Sequence, residues 1–203
     1  MGRQSRLALM PLMLIIFIDT LCWFIVAPVL LRLYMPGHES ILPAAYSTST
    51  RNLLYGVTMA LPPLAFMITT PFLGILSDRI GRKRVLVLCL SVALLGFVLP
   101  ILGIASKALW LLMLGRFVGG LSTSSQPIAQ AAIADYADHD LQKSRLFSFI
   151  ALSMTLGLLL GPIIGGDLSN ANLVSWFSPL TPFYVGAILA IFNLFFVWKL
   201  YRP

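Results

Sequence analysis

Two ionisable residues, Asp19 and Arg116, lie inside long apolar runs of the sequence. A charge within a membrane-crossing helix costs free energy, so such a residue faces protein or water and marks a functional site. Counted from Leu7, Asp19 lies about 18 Å along a helix, near the middle of a bilayer. This position favours proton coupling or substrate contact. The alternative is that the two charges only neutralise each other and join two helices.

A second cluster, residues 74–84, combines charges with glycines. Asp78 and Arg82 are four residues apart, a spacing that would bring them together on one helical turn. Gly81 would permit a sharp turn, and Gly74 a close approach by a neighbouring helix. The cluster predicts a latch that holds in one conformation and releases in another. The alternative is that the basic residues only anchor the turn at the cytoplasmic membrane surface. That would explain the arginines and the lysine, but not the presence of Asp78 and both glycines.

A third pattern is a glycine face. Gly157, Gly161 and Gly165 recur at every fourth residue, with Pro162 and Gly166 between and after them. Such spacing leaves one side of a helix without side chains, so another helix can approach closely. The proline removes a hydrogen bond and bends the helix. We expect this face to pack against a partner domain.

Few other residues suggest chemistry. Some members of a polar run at residues 122–130 are expected to line an aqueous cavity, the alternative being that their hydroxyls bond to the backbone. We predict that Gln126 and Trp23 contact the substrate. The two cysteines lie in apolar runs and are expected to pack as small hydrophobes rather than to form a disulfide. The two histidines, His38 and His139, have no companions at metal-ligand spacing. We predict no metal, no cofactor and no enzymatic activity.

The composition indicates the solvent around these residues. Hydrophobic residues make up 59% of the chain and charged residues 10%, with a mean hydropathy of +0.92. Soluble domains carry about 25% charged residues, so most of this surface must face membrane lipid. The net charge of +7 does not indicate nucleic-acid binding, because the basic residues form no face interleaved with aromatics.

Six segments are long and apolar enough to cross a bilayer, which takes about 20 residues each. They are Leu7–Leu33, Leu53–Leu76, Val85–Ile104, Leu109–Ala132, Leu146–Leu168 and Pro182–Leu200. The first is expected to be a retained helix rather than a cleaved signal peptide, because no small-residue cleavage site follows it. The one long connection, Tyr34–Asn52, is expected to be a solvated connector rather than a binding loop.

Basic residues are unevenly distributed between the two ends of these segments. One side carries Arg3, Arg6, Arg79, Arg82, Lys83, Arg84, Lys143, Arg145, Lys199 and Arg202, and the other carries Arg32, Arg51 and Lys107. The basic side of a membrane protein faces the cytoplasm. The pattern predicts a multi-pass protein of the cell membrane, inner or plasma, with both termini in the cytoplasm.

Three motifs carry a resemblance to the major facilitator superfamily. Residues 74–84 resemble its G-x-L-x-D-R-x-G-R-K signature, which also lies in a short turn between the second and third helices. Residues 157–166 resemble the G-x-x-x-G-P-x-x-G-G motif of its antiporters. Residues 112–120 resemble L-x-x-x-R-x-x-Q-G, although Gly119 replaces the glutamine. The stretches from Asp19 to Pro28 and from Leu114 to Phe183 resemble drug–proton antiporters of the tetracycline-efflux type.

The resemblance implies roles for these residues. It assigns proton coupling to Asp19 and Arg116, and the antiporter-type packing motif to the glycine face with Pro162. The latch it implies consists of Gly74, Asp78, Arg79, Gly81, Arg82 and Asp135. In the family, an acid at the position of Asp135 joins the Asp78–Arg82 pair as a third charge.

The resemblance also implies an architecture. The expected fold is an all-α membrane domain, residues 1–203, in which six transmembrane helices form two inverted three-helix repeats, one half of a major facilitator fold. The sequence ends just after the sixth segment. We therefore expect a truncated chain, one half of a split transporter, or a half that pairs with another copy. A second six-helix domain is the expected partner.

The implied function is secondary active transport, in which a small amphiphilic compound leaves the cell as protons enter. One alternative is proton-coupled uptake of a metabolite or a siderophore-like molecule by the same machinery. Another is a half-transporter module that does not transport. The expected partners are membrane lipid, the small-molecule substrate and protons.

Overall fold

The computed structural model describes residues 3–37, 39–135, 140–170 and 172–200 of the 203-residue chain. His38, His139 and Arg202 lie outside these ranges. All the regular structure in the described ranges is helical, which confirms the all-α membrane fold. The helices are α1 (Arg3–Ile25), α2 (Ala27–Tyr34), α3 (Thr48–Ile80), α4 (Arg82–Ala105), α5 (Leu109–Ser122), α6 (Ser125–Asp135), α7 (Asp140–Leu168) and α8 (Thr181–Leu200).

The eight helices of the described residues make six crossings, because two of the predicted segments are broken. The first comprises α1 and α2, with Val26 between them and a proline near the start of α2. The fourth comprises α5 and α6. Five stretches of the described chain are long and apolar enough to cross a membrane as they stand. The fourth segment is not among them, since α5 has 14 residues and α6 has 11.

The break in the fourth segment follows from its polar run. Ser122 Oγ donates to the carbonyl of Gly119 at 2.6 Å, and Thr123 Oγ1 reaches the same carbonyl at 3.4 Å. Hydroxyls that bond to nearby carbonyls compete with the helical ladder. Pro127 then lacks the N–H that a continuous helix would use. The break places Ser125 at the start of α6, beside α1.

Glycines set the close packing of α4 against α5. A Cβ atom built on Gly96 would lie 2.5 Å from the Cα of Gly119, and one on Gly103 would lie 2.6 Å from the Leu112 nitrogen. No real side chain tolerates such contacts, so the two backbones lie as near as helices can. This contact brings Gly119 and the neighbouring Arg116 toward the middle of the domain.

The buried side chains form two clusters. The Leu12 cluster joins α1, α4, α6, α7 and α8 through residues that include Leu12, Cys89 and Val197. The Tyr34 cluster joins α1, α2, α5 and α8 with Ile41 and Leu42 from the loop after α2. The polar groups of the candidate site lie between the two clusters, on α1, α5 and α6.

Most of the described residues in the loop at 35–47 are exposed, as expected of a solvated connector, but Ile41 and Leu42 are buried and Arg51 holds the loop. Arg51 of α3 is only 2% exposed. Its guanidinium donates to the carbonyls of Tyr34 (2.9 Å), Tyr46 (3.2 Å) and Pro43 (2.6 Å), and to Ser40 Oγ (2.9 Å). Arg51 thus fastens the loop to the start of α3.

Candidate functional site

Asp19 is held by a residue from the broken fourth segment. The Asp19 carboxylate, half-buried on α1, accepts a hydrogen bond from Ser125 Oγ at the start of α6. The next residues along each helix also meet, since Gln126 Nε2 donates to Thr20 Oγ1 at 3.3 Å. Two polar contacts therefore join α1 to the start of α6, near the middle of the first membrane-crossing segment.

A cavity of about 50 Å³ lies beside Asp19. Residues of α1, α3, α4, α5 and α8 line it, among them Asp19, Trp23, Arg116 and Ser122. Small-molecule sites usually measure about 300–1,000 Å³, so this volume suits water rather than a drug-sized ligand.

Arg116 points into the same cavity without pairing with Asp19. It is 9% exposed, and its guanidinium carbon lies 5.7 Å from the centre of the Trp23 ring, within cation–π range. Its Nε has no hydrogen-bond partner among the described residues. Within those residues, no ion pair of 4.0 Å or less joins Arg116 to Asp19. A direct salt bridge that only joins two helices is therefore not what the structure contains.

Gly119 stands where the family motif has a glutamine. It lines the cavity and lies opposite Gly96, where a Cβ atom would make ordinary contacts of 3.7 and 3.8 Å. The packing at this position therefore does not require glycine, and nothing in the structure explains the departure.

The two predicted substrate contacts, Trp23 and Gln126, differ in whether they line the cavity. Trp23 lines the cavity and faces Arg116. Gln126 is not among the residues that line the cavity, and its amide is engaged with Thr20. Substrate contact by either residue stays a prediction.

At the other end of the domain, Arg82 pairs with Asp135. Arg82 Nε donates to Asp135 Oδ2 at 2.6 Å, which joins the start of α4 to the end of α6. Asp78 and Arg82 line a common cavity of about 230 Å³, together with Gly74 and Ser77. Their role as a latch stays a prediction.

Two details of the expected latch are corrected. Asp78 forms no ion pair within 4.0 Å among the described residues, because Gly81 adopts φ 93° and ends α3 before Arg82 begins α4. The four-residue spacing of Asp78 and Arg82 therefore does not correspond to one helical turn. Gly74 makes no close helix contact either, since a Cβ atom there would meet nothing within 4 Å. Arg79 is exposed in the last turn of α3.

The glycine face of α7 packs against α1, so the expectation that it meets a partner domain is wrong. A Cβ on Gly157 would lie 2.8 Å from Thr20 Cβ, and one on Gly161 would lie 2.6 Å from Phe24 Cβ. A Cβ on Gly165 would overlap the Ile25 backbone. Close packing itself is as the spacing predicts.

The other two residues of that motif lie off this face. Pro162 is exposed within α7, and a Cβ on Gly166 would meet nothing within 4 Å. They therefore take no part in the contact with α1.

The structure adds two residues that sequence reasoning did not single out. Ser125 belongs to the polar run, but only the break before α6 shows that it is the member that reaches Asp19. Arg51 resembles an ordinary surface charge in sequence.

No group of three or more potential metal ligands occurs in the described residues. Cys22 and Cys89 are both buried and unpaired, as predicted.

Residues 12–203 match the profile of the Major Facilitator Superfamily. The chain belongs to that superfamily. Its members are membrane transporters and not enzymes, in agreement with the sequence analysis.

Sequence relatives include two resistance proteins. The chain is 37% identical over 148 residues to the class B tetracycline resistance protein of Escherichia coli, which covers 73% of this chain and 34% of the relative. It is 31% identical over 137 residues to the quinolone resistance protein NorA of Staphylococcus aureus, covering 67% and 33%. The chain thus spans about a third of the length of these relatives.

Solved structures share the fold. The human organic anion transporter MFSD10 matches 100% of this chain and 48% of its own, at 19% identity and a TM-score of 0.72. The D-xylose–proton symporter matches 96% and 47%, at 18% identity and a TM-score of 0.76. The six-helix arrangement of half a major facilitator transporter is therefore confirmed.

Proposed function

We propose that this chain forms the N-terminal six-helix domain of a proton-coupled exporter of small amphiphilic compounds. The observation that carries the proposal is the placement of Asp19. It is an acid at mid-helix depth, bonded to a neutral hydroxyl and open to a small cavity, without a cation within 4.0 Å among the described residues. A carboxyl group in such surroundings can be neutral or charged without breaking a salt bridge.

The charge change supplies the coupling. A neutral Asp19 is cheap to enclose when the path closes, whereas a charged Asp19 favours a state open to water. Arg116 across the cavity stabilises the carboxylate at longer range. Binding and release of one proton would therefore bias the domain between two conformations, as a ligand with different affinities for two states must do.

Transport requires a second domain. The cavity is too small for a drug-sized compound, and α3 and α7 expose large apolar side chains that include Met67, Phe72, Leu159 and Ile163. We propose that another six-helix domain, on the same or a separate chain, supplies the opposite wall. The Arg82–Asp135 pair, with Asp78 beside it, would then be the latch at the cytoplasmic end. This orientation follows the distribution of basic residues and places both termini in the cytoplasm of a cell or plasma membrane.

Export is favoured by two independent features. The string at residues 157–166 resembles the motif of the antiporters in this superfamily, and relatives above 30% identity are named for resistance to tetracycline and quinolone. A resistance protein of this type would remove its compound from the cell. We therefore take tetracycline and a quinolone as the first test compounds.

Inside-out membrane vesicles that contain the intact transporter test the direction. An acidic interior should drive accumulation of tetracycline or a quinolone, and a protonophore should abolish it. A proton-coupled importer would respond to the same gradient by expelling its substrate from the vesicles. That result would contradict export.

A further inference from the structure

Asn193 is a buried amide on an otherwise apolar helix. Between Tyr184 and Lys199, α8 carries no other hydroxyl, amide or charged side chain. Asn193 is 0% exposed, and neither its amide nitrogen nor its amide oxygen has a hydrogen-bond partner among the described residues. Buried polar groups are almost always bonded, either to protein or to ordered water. The side-chain amide of Asn193 can therefore bind a small polar ligand that both donates and accepts hydrogen bonds.

The surroundings of Asn193 connect it to the Asp19 cavity. Ala190, Asn193 and Val197 lie on one buried face of α8, and that helix packs against α4 and α1. Ala190 lines the cavity, while Val197 belongs to the Leu12 cluster. Asn193 lies about 4.5 Å along the helix from Ala190. It therefore stands between the cavity and the end of the domain where α1 begins and α8 ends.

We propose that Asn193 holds a buried water molecule below the Asp19 cavity, through which Asp19 exchanges its proton with that end of the domain. This inference rests on the proposed function, in which Asp19 carries the coupled proton. Water fits because an amide both donates and accepts, as water does, and because both polar atoms of this buried amide are without a partner among the described residues.

The exchange leaves every group balanced. The Asp19 carboxyl gives its proton to the water oxygen while a proton of that water passes to the next water. The products are an Asp19 carboxylate, an unchanged water held by Asn193 and a protonated next water, which passes its extra proton to the bulk solvent. Asn193 keeps its own protons throughout, so it is a positioning residue.

Few other ionisable groups face this region. α1 contributes Asp19 and Cys22, α5 contributes Arg116, and α4 contributes Cys89, which is 2% exposed in the Leu12 cluster. The remaining charged residues of α1, α4, α7 and α8 lie toward the ends of those helices: Arg3, Arg6, Arg82, Lys83, Arg84, Asp140, Lys143, Arg145, Asp167 and Lys199. Among the described residues, Asp19 is the acid that lines the cavity.

Radiolytic footprinting of the intact transporter tests the water directly. Hydroxyl radicals made from water by a short X-ray pulse oxidise buried side chains only where a water molecule lies beside them. Cys22 reports on the cavity, and Cys89 reports on the region beyond it. We expect both thiols to be oxidised in the unmodified protein. Protection of Cys89 there would overturn the proposal without any variant.

Two variants of Asn193 and one control variant then assign the water to the amide. Asn193→Leu keeps the volume but removes the donor and the acceptor, so oxidation of Cys89 should fall several-fold while that of Cys22 persists. Proton-driven transport should slow about tenfold, the effect of one lost hydrogen bond. Asn193→Ser should restore both, and Phe192→Leu, on the exposed side of α8, should change neither.

The remaining outcomes separate the claims. Unchanged Cys89 oxidation in Asn193→Leu means that the amide does not hold the water. Reduced oxidation with wild-type transport means that the water is not the proton route, and this also overturns the proposal. If Asp19→Asn keeps proton-driven transport, the proposed function has failed, whatever the footprint at Cys89 shows.

Discussion

Arg82 Nε and Asp135 Oδ2 lie 2.6 Å apart and join the first turn of α4 to the last turn of α6. Their side chains are 25% and 60% exposed. Ion pairs this exposed contribute about 0–1 kcal/mol to stability. This contact contributes little to folding, so it can break and re-form at low cost. It lies at the end of α6, the helix that begins with Ser125.

The first prediction concerns this pair and its neighbour. Asp135→Asn and Asp78→Asn should each lower the transport rate while changing the free energy of unfolding by about 1 kcal/mol or less. Thermal unfolding in detergent and transport in vesicles measure the two effects. The reversed pair, Arg82→Asp with Asp135→Arg, should recover part of the transport that either single reversal loses. Wild-type transport in both neutral variants would rule out a latch.

The second prediction concerns the contact between α7 and α1. Gly161→Leu should destabilise the domain by about 1–3 kcal/mol, because the new side chain would overlap Phe24 and the backbone beside it. Gly166→Leu is the matched control, five residues along the same helix, where a Cβ meets nothing within 4 Å. The unfolding temperature of each variant distinguishes the sites. Equal unfolding temperatures would mean that α7 does not pack on α1 through this face.

The fold was predictable from the sequence to the extent that hydropathy controls it. Six apolar runs give six crossings, and the positive φ of Gly81 is where the glycine in the short turn predicts it. The breaks were not predictable, because hydropathy does not register hydroxyls that bond to their own backbone. Ser122 and Thr123 therefore appeared as polar members of a single helix.

The site was predictable in its residue types but not in its pairings. Asp19 and Arg116 were identifiable because charges are costly in lipid, yet their separation depends on which way each helix faces. The spacing of Asp78 and Arg82 suggested an ion pair only on the assumption of a continuous helix. The glycine face of α7 predicted a close neighbour, but spacing carries no information on whether that neighbour belongs to the same domain.

The third prediction concerns the loop at residues 35–47. Arg51→Gln should free this loop, since a shorter neutral side chain cannot replace four hydrogen bonds from one guanidinium. Limited proteolysis from the side of the membrane that carries the loop should then cut it faster, while helix content stays the same. Arg32→Gln, which removes a single bond to the Ser169 carbonyl, is the control. Equal cleavage of both variants would show that Arg51 does not fasten the loop.

The fourth prediction concerns the partner of Asp19. Ser125→Ala removes the hydroxyl that donates to the carboxylate and leaves the backbone of α6 intact. The carboxylate loses its hydrogen-bond donor, so proton exchange at Asp19 should change. The pH at which transport is half-maximal should therefore shift, with substrate affinity unchanged. An unchanged pH profile would show that Ser125 takes no part in proton coupling.

Proton-driven accumulation by Asp19→Asn is the measurement that tests the account most directly. Asparagine has nearly the same shape but cannot carry the proton. In vesicles with an imposed pH gradient, the variant should fail to accumulate substrate, yet it should still exchange labelled for unlabelled substrate across the membrane without a gradient. Full pH-driven accumulation by Asp19→Asn would contradict the account and place the coupled proton on another residue.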